Sequence, residues 1–153
     1  MYTRIMIPLD GSELAQTALP HALDLGRALG ATLVLLHVRD GRKGSPEAAR
    51  RYLEYLRRGH TGDGVAIELA VREGAVAEAI VRAADEERID IIVMATHGRS
   101  GMQRVVYGSV AEQVLRSSTR PVLLVRVPGA PVEAPTLAPD RPRGVRDLPA
   151  GSS

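Results

Sequence analysis

The chain has 153 residues and a formal net charge of +2, and it contains no cysteine. This length fits one domain with a tail, and the missing cysteine excludes disulfide frameworks and thiolate chemistry. We expect no membrane span and no signal peptide, because no apolar run is long enough and the N-terminus leads directly into a strand pattern. Arginine supplies nearly all of the positive charge, but it is spread among acidic residues, which argues against a nucleic-acid-binding face.

The first predicted unit is a strand at residues 5–9 followed by a helix. Either Asp10 or Ser12 is expected to cap the N-terminus of this helix. Apolar residues then recur at helical spacing, and Pro20 within this pattern predicts a kink or a local break. Gly30 follows the last periodic position and is a typical helix stop.

The rest of the pattern alternates strands with helices. Further strands are predicted at residues 31–38, 65–71, 89–94 and 121–127, and further helices at residues 46–58, 76–87 and 110–116. Ser45 and Pro46 form a strong helix start, and the continuous apolar run at residues 31–38 is typical of a parallel sheet covered on both faces. The sequence therefore predicts an α/β fold, with an open, twisted, five-stranded parallel sheet and helices on both faces, doubly wound in a Rossmann-like way.

A change of composition after Val127 predicts the domain boundary. Six of the ten prolines in the chain fall within residues 128–149, and this stretch lacks a periodic apolar pattern. Such composition does not supply enough apolar surface for a packed core. We therefore predict one folded domain at residues 1–127 and a proline-rich, disordered tail at residues 128–153.

Residues 95–109 carry the clearest functional signal, because a glycine-bearing loop there joins a predicted strand to a predicted helix. Exposed amides and the positive end of a helix bind phosphate at such places. Gly98, Gly101 and Gly108 allow close approach of the backbone to a phosphate, although glycine serves equally in simple turns. Ser109 is a candidate phosphate donor, and it also heads a capping-box pattern that explains a serine there without any ligand.

Three segments are expected to meet at one edge of the sheet, since ligands of open α/β sheets bind beyond the carboxyl ends of the strands. They are residues 9–11, residues 37–39 and the loop after the fourth strand. Asp10 could bond a ribose or base, help to hold a divalent cation, or only cap a helix. In the loop, His97 is expected to brace the backbone rather than act as a base, and Arg99 either neutralises phosphate or stays solvated.

Five segments, in order, resemble the universal stress protein family over residues 1 to about 127. They are IMIPLDGS at residues 5–12, VREG at 71–74, IIVMATHGRSG at 91–101, GSVAE at 108–112 and RPVLLV at 120–125. ATP-binding members share a Gly-x2-Gly-x9-Gly-Ser/Thr pattern, which Gly98, Gly108 and Ser109 match, whereas Ala95 stands at the first glycine. Alanine is harmless there if it ends a strand with a negative φ, the alternative we favour, and it lowers affinity if its methyl group faces the triphosphate.

The resemblance implies where a nucleotide binds. Adenine and ribose contacts are implied from Asp10 and from the backbone around Pro8, Leu9 and Val38. Phosphate contacts are implied from a second group of residues, namely Gly98, Arg99, Gly101, Gly108, Ser109 and Val110. The resemblance also implies homodimers formed by antiparallel pairing of the last strand, which runs from Pro121 to Val127 and would otherwise leave an apolar edge.

The leading function is therefore a cytoplasmic, homodimeric stress-response regulator that binds ATP, with Mg²⁺ bound to the nucleotide, and acts through an unidentified protein partner. The alternative is a nucleotide-independent dimeric scaffold of the same fold. A true hydrolase is a third reading, in which Asp10, His37 and His97 converge. At most slow hydrolysis is expected, because the sequence shows no residues arranged to activate a water. The chain also lacks a P-loop motif, a dinucleotide fingerprint after the first strand and paired zinc ligands, which argues against those classes of protein.

Overall fold

The computed structural model describes residues 1–41, 44–96 and 109–126. Strands and helices alternate along the chain, as predicted. The strands are β1 (Arg4–Pro8), β2 (Thr32–Arg39), β3 (Ile67–Glu73), β4 (Ile91–Ala95) and β5 (Val122–Val125). The helices are α1 (Glu13–Gln16), α2 (Ala18–Leu29), α3 (Pro46–Gly59), α4 (Val76–Glu86) and α5 (Ser109–Ser117).

The five strands form one parallel sheet in the order β3-β2-β1-β4-β5, which confirms the predicted sheet. At the centre, Met6 of β1 lies opposite Val34 of β2 and Ile92 of β4. The chain adds strands on one side of β1 up to β3 and then crosses to β4 on the other side. The strand order therefore reverses between β1 and β4.

Two apolar layers cover the sheet, because successive side chains of a strand point to opposite faces. Ile5 and Ile7 pack in the layer that contains α2 and α3, whereas Met6 packs in the layer that contains α4 and α5. All three side chains are fully buried. The helices thus lie on both faces, and a core without phenylalanine or tryptophan forms from aliphatic side chains and methionine.

The break predicted from Pro20 occurs at Thr17, between α1 and α2. Proline lacks the N–H that would donate to the carbonyl four residues earlier, and its ring clashes with that carbonyl. The carbonyl four residues before Pro20 belongs to Gln16, and α1 ends at this residue. Gly30 ends α2 with a left-handed φ of 62°, which confirms it as the helix stop.

The start of β4 differs from the prediction, which placed a strand from residue 89. Ile89 instead donates its N–H to the Ala84 carbonyl (2.8 Å) and so closes the end of α4. This closing turn places Arg88 at a φ of 52°, and Arg88 is the only non-glycine residue with positive φ among those that the structure describes. Ile89 is apolar and fully buried, like a strand residue, but its backbone belongs to the helix end.

The last strand, predicted at residues 121–127, is shorter in the structure, where β5 begins at Val122 and ends at Val125. Pro121 precedes β5 and contributes its carbonyl, which accepts from Ile92 N (3.0 Å), while its ring nitrogen has no proton to donate. Val127 and the predicted tail at residues 128–153 lie outside the described residues. Within residues 1–41, 44–96 and 109–126, no helix combines the length and the apolar composition needed to cross a membrane.

Candidate functional site

A cleft of about 160 Å³ opens at the carboxyl ends of β1 and β4, where the strand order reverses. This is the place at which open α/β sheets bind ligands. The end of β1, α1, the end of β2, the first turns of α4, the end of β4 and the first turn of α5 all contribute to its walls. The lining residues are Pro8, Leu9, Asp10, Leu14, Ala15, Val38, Val76, Ile80, Met94, Ala95, Ser109, Val110 and Ala111.

Six of the predicted site residues meet in this cleft. They are Pro8, Leu9, Asp10, Val38, Ser109 and Val110. The other four, Gly98, Arg99, Gly101 and Gly108, lie outside the described residues, as does His97. The structure therefore brings together the half of the predicted site that comes from β1, β2 and the start of α5.

The walls of the cleft are mostly apolar, and Asp10 and Ser109 are the polar side chains among its lining residues. Val38, Ile80 and Met94 belong to the layer of α4 and α5 or pack against it. Binding sites for small molecules commonly combine such walls with a few placed polar groups. Apolar walls can cover the faces of a flat base, and a carboxylate at the rim can accept hydrogen bonds from sugar hydroxyls.

Asp10 shapes the turn that joins β1 to α1. Its Oδ1 accepts from Ser12 N (2.9 Å) and from Ser12 Oγ (2.6 Å). Ser12 Oγ in turn accepts from Ala15 N (3.1 Å), so Ser12 rather than Asp10 is the N-cap. Gly11 sits between them at a φ of 87°, a conformation that glycine adopts without a steric penalty.

The backbone of Leu9 is engaged on the protein side of the cleft. Its N–H donates to Leu36 O (2.8 Å), and its carbonyl lies 2.9 Å from His37 Nδ1. Because a carbonyl oxygen only accepts, His37 Nδ1 carries the proton of this bond. The Leu9 N–H is therefore already bonded, and only the second lone pair of the Leu9 carbonyl is left for the predicted ligand contact. His37 braces the end of β1, so it lies behind the turn and is not among the described residues that line the cleft.

Ala95 is the last residue of β4 and lies opposite Val125 of β5. Its φ is not positive, so alanine costs nothing in backbone conformation there. The next residue, Thr96, is buried and donates its N–H to Val125 O (2.9 Å). The favoured interpretation of Ala95, as an ordinary strand end, agrees with this geometry, although Ala95 is also among the residues that line the cleft.

Two helices begin at the cleft, α4 at Val76 and α5 at Ser109. The N–H groups of a first helical turn and the helix dipole both favour an anion. Within α5, Glu112 Oε1 accepts from Arg116 Nη2 (2.7 Å), one turn further along the helix. The capping box predicted from Ser109 stays a prediction, since the residue before Ser109 lies outside the described residues.

Sequence reasoning missed the part of the cleft that α1 and α4 supply. Leu14 and Ala15 follow the N-cap of α1, and Val76 and Ile80 lie one turn apart at the start of α4. A signal for the second pair was available, since a helix that follows a parallel strand starts at the carboxyl edge of the sheet. Among the described residues, no group of three His, Cys, Asp or Glu side chains could hold a metal ion.

A sequence model of the universal stress protein family matches residues 1–126. The chain belongs to the universal stress protein family. Among its curated relatives, universal stress protein MJ0531 from Methanocaldococcus jannaschii is 32% identical over 143 residues, which cover 84% of each chain. The recognition made from the five sequence segments is thereby confirmed.

Solved structures of other universal stress proteins share the fold. The structure of the hypothetical protein MJ0577, also from Methanocaldococcus jannaschii, superposes with a TM-score of 0.73 at 31% identity and covers 83% of this chain and 97% of its own. A universal stress protein in complex with cAMP gives a TM-score of 0.68 at 28% identity and covers 82% of this chain and 97% of its own. The Rossmann-like α/β fold of this chain is that of its family.

Proposed function

We propose that this universal stress protein binds ATP in the cleft between β1 and β4 and acts in the cytoplasm as a homodimeric stress-response regulator. The observation that carries the proposal is the meeting of Asp10, Val38 and Ser109 at the point where the strand order reverses. A relative with this fold has been solved in complex with cAMP, which supports an adenine nucleotide as the ligand class.

The apolar part of the cleft suits the adenine base. Val38 and Met94 contribute aliphatic surface beside the sheet edge, and Val76 and Ile80 contribute it from α4. Transfer of the base from water into this part of the cleft is favourable by roughly 25 cal/mol per Å² of apolar surface buried. Asp10 lies at the end of β1 on the rim of the same cleft, where its carboxylate can accept from the ribose hydroxyls.

The phosphates are placed at the start of α5 in this proposal. Ser109 is exposed and opens the helix, and its first-turn amides attract negative charge. The glycine pattern at Gly98, Gly101 and Gly108, with Arg99, supplies further amides and a positive charge by resemblance to ATP-binding members. When bound to the phosphates, Mg²⁺ neutralises part of their charge.

Regulatory binding is favoured over turnover. The described lining offers one carboxylate and one hydroxyl, and Asp10 Oδ1 already accepts two bonds from Ser12. His37 lies outside the lining and donates to Leu9 O. A general base within reach of an attacking water is needed for efficient hydrolysis, so we propose slow hydrolysis at most.

The decisive experiment is calorimetry of ATP binding with two variants of one residue. Ser109→Asp places a carboxylate at the start of α5, where negative charge stabilises the helix but repels phosphate. Ser109→Asn is the matched neutral control. We expect the Asp variant to lose at least about tenfold in ATP affinity, equal to about 1.4 kcal/mol, without a fall in melting temperature. Wild-type protein that gives no binding heat at millimolar ATP would refute the proposal.

The alternative is a nucleotide-independent dimer, and the outer strand β5 favours dimerisation in either case. Leu123 on this edge strand is 40% exposed although it is apolar. Exposed apolar edges are normally covered or protected by charge. Leu123→Lys should convert a dimer into a monomer, which light scattering measures. A rise in melting temperature on addition of ATP distinguishes the ATP-binding regulator from the nucleotide-independent scaffold. Saturation at a hundred times the Kd should add about 2.7 kcal/mol of stability, whereas a scaffold shows no shift.

A further inference from the structure

Three side chains lie behind the turn that carries Asp10, and none of them is among the lining residues of the cleft. His37, at the end of β2, binds the Leu9 carbonyl through Nδ1 (2.9 Å). Tyr52 of α3 packs its ring edge-on against His37, with ring centroids 5.9 Å apart at 73°. Gln16, the last residue of α1, donates from Nε2 to the Tyr52 hydroxyl (3.2 Å).

The Tyr52 hydroxyl lies close to the turn. Burial raises the pKa of Tyr52, while the hydrogen bond from the Gln16 side chain and the nearby Gly11 backbone oppose that rise. The nearby charge of Asp10 raises the same pKa further. Tyr52 is therefore a neutral phenol at physiological pH, and its hydroxyl accepts the Gln16 hydrogen bond.

The turn is anchored by hydrogen bonds on both of its sides. Before Asp10, the Leu9 carbonyl accepts from His37 Nδ1. After the turn, Gln16 at the end of α1 donates to the Tyr52 hydroxyl. Because the His37 and Tyr52 rings pack against each other, these two anchors form one connected group. Gly11, between them, adopts a φ of 87°, and among the described residues no atom outside its neighbours lies within 4 Å of the position that a Cβ would take.

We propose that His37 and Tyr52 are positioning residues that hold Leu9 and Gln16, on the two sides of the turn, so that the Asp10 carboxylate faces the ribose of the bound nucleotide. This inference rests on the proposed function. It assigns part of ribose recognition to α3, a helix that contributes no lining residue to the cleft and lies on the face of the sheet opposite α4 and α5.

The test compares Tyr52→Phe with Tyr55→Phe on the same helix. The first variant removes the buried hydroxyl and keeps the ring beside His37, and the second removes an exposed hydroxyl (Tyr55 is 76% exposed). Affinities for ATP and for 2′,3′-dideoxy-ATP are measured by calorimetry. We expect Tyr52→Phe to weaken ATP by about fivefold, the range of one hydrogen bond, and dideoxy-ATP by less than about twofold. Tyr55→Phe should change neither affinity.

A second variant and a double-mutant cycle extend the test to His37. His37→Phe keeps a ring beside Tyr52 but loses the donor to Leu9. It should likewise weaken the binding of ATP more than the binding of dideoxy-ATP. In an Asp10→Asn background, Tyr52→Phe should weaken ATP no further, because the two residues act through one contact. Equal losses for ATP and dideoxy-ATP would show a general structural role and overturn the proposal, and so would a wild-type protein that does not distinguish the two ligands.

Failure of the proposed function is recognised separately. If wild-type protein binds neither nucleotide, the proposed function fails, and the positioning role is judged on the free protein. Hydrogen exchange of the Ala15 and Gln16 amides of α1 should then be several times faster in Tyr52→Phe than in Tyr55→Phe, since the hydroxyl that holds the Gln16 side chain is gone. Equal exchange at these amides in the two variants would overturn the positioning role.

Discussion

The two ends of the parallel sheet differ in the polarity of the side chains around them. At the carboxyl end, apolar side chains, backbone groups and two helix starts surround a cleft with Asp10 on its rim. At the amino end, charged groups pair with one another. Arg4 binds the Glu68 carboxylate (2.8 Å) and the Glu87 carbonyl (2.7 Å), and Asp90 Oδ2 accepts from the N–H groups of Thr3 (2.8 Å) and Arg4 (3.0 Å).

The pairing at the amino end extends beyond β1. Glu87 lies 2.6 Å from Arg72 and 3.5 Å from Arg4, so it bridges two arginines. The Arg4 guanidinium holds the pKa of Glu68 below its ordinary value through a hydrogen bond, and the Thr3 backbone does the same for the pKa of Asp90. Charges that satisfy one another leave little for a ligand. The same sheet is therefore held by charged pairs at one end and has an open cleft at the other.

The largest expected effect comes from Asp10→Asn at the carboxyl end. The amide retains an oxygen for Ser12 but loses the charge that strengthens bonds from ribose hydroxyls. Bonds to charged groups contribute about 1.5–3 kcal/mol, so ATP affinity in calorimetry should fall at least about tenfold. Asp90→Asn, at the other end, is the control and should leave ATP affinity unchanged. Equal losses in both variants would erase the functional distinction between the two ends.

The next effect is on stability and comes from Arg4→Met, which keeps the aliphatic stem and removes the guanidinium. Arg4 holds Glu68 and the Glu87 carbonyl together, so urea unfolding should show a loss of about 1 kcal/mol. Arg116→Met is the matched control, because its i,i+4 pair with Glu112 is largely exposed and should contribute less than about 0.5 kcal/mol. A loss in Arg4→Met no larger than this control would contradict the structural role of the amino end.

Acid should weaken the amino end through Asp90. Its pKa is lowered in the folded state by the Thr3 backbone bond first, so its contribution is present above the unfolded pKa of about 3.9 and is lost as pH falls through the folded value. Melting temperatures from pH 6 to pH 2 should therefore fall less steeply in Asp90→Asn than in wild type. The difference in unfolding free energy should stay below about 1 kcal/mol, because solvent screens this partly exposed group. If the melting temperature falls equally steeply with pH in both proteins, Asp90 does not contribute to the acid sensitivity.

The smallest effect is expected from Ala95→Gly, which restores the first glycine of the ATP-binding pattern. Since Ala95 ends β4 without a positive φ, glycine gains no conformation that the turn needs. The unfolding free energy should fall by about 0.5 kcal/mol from added chain entropy, and ATP affinity should change by less than about twofold. A tenfold gain in affinity would instead place the Ala95 methyl group against the ligand.

Much of this protein was determined by the sequence alone. The alternation of strands and helices, the break near Pro20, the stop at Gly30 and the cap at Ser45 follow from local patterns, because caps and breaks depend on residues within one helical turn. The sequence left Asp10 and Ser12 as alternative caps of the first helix, and the structure decides for Ser12. The meeting of Asp10, Val38 and Ser109 at one edge was also predictable, since the carboxyl ends of parallel strands share an edge.

Other features were decided only by the tertiary structure. Ile89 has the composition of a strand residue, yet its N–H closes α4 because Arg88 adopts a positive φ there. Val76 and Ile80 border the cleft because the strand order brings β4 beside β1. Tyr52 meets Gln16 across 36 positions of the chain. Such contacts depend on how whole elements pack, and no periodicity within one element reports which distant side chain completes a hydrogen bond.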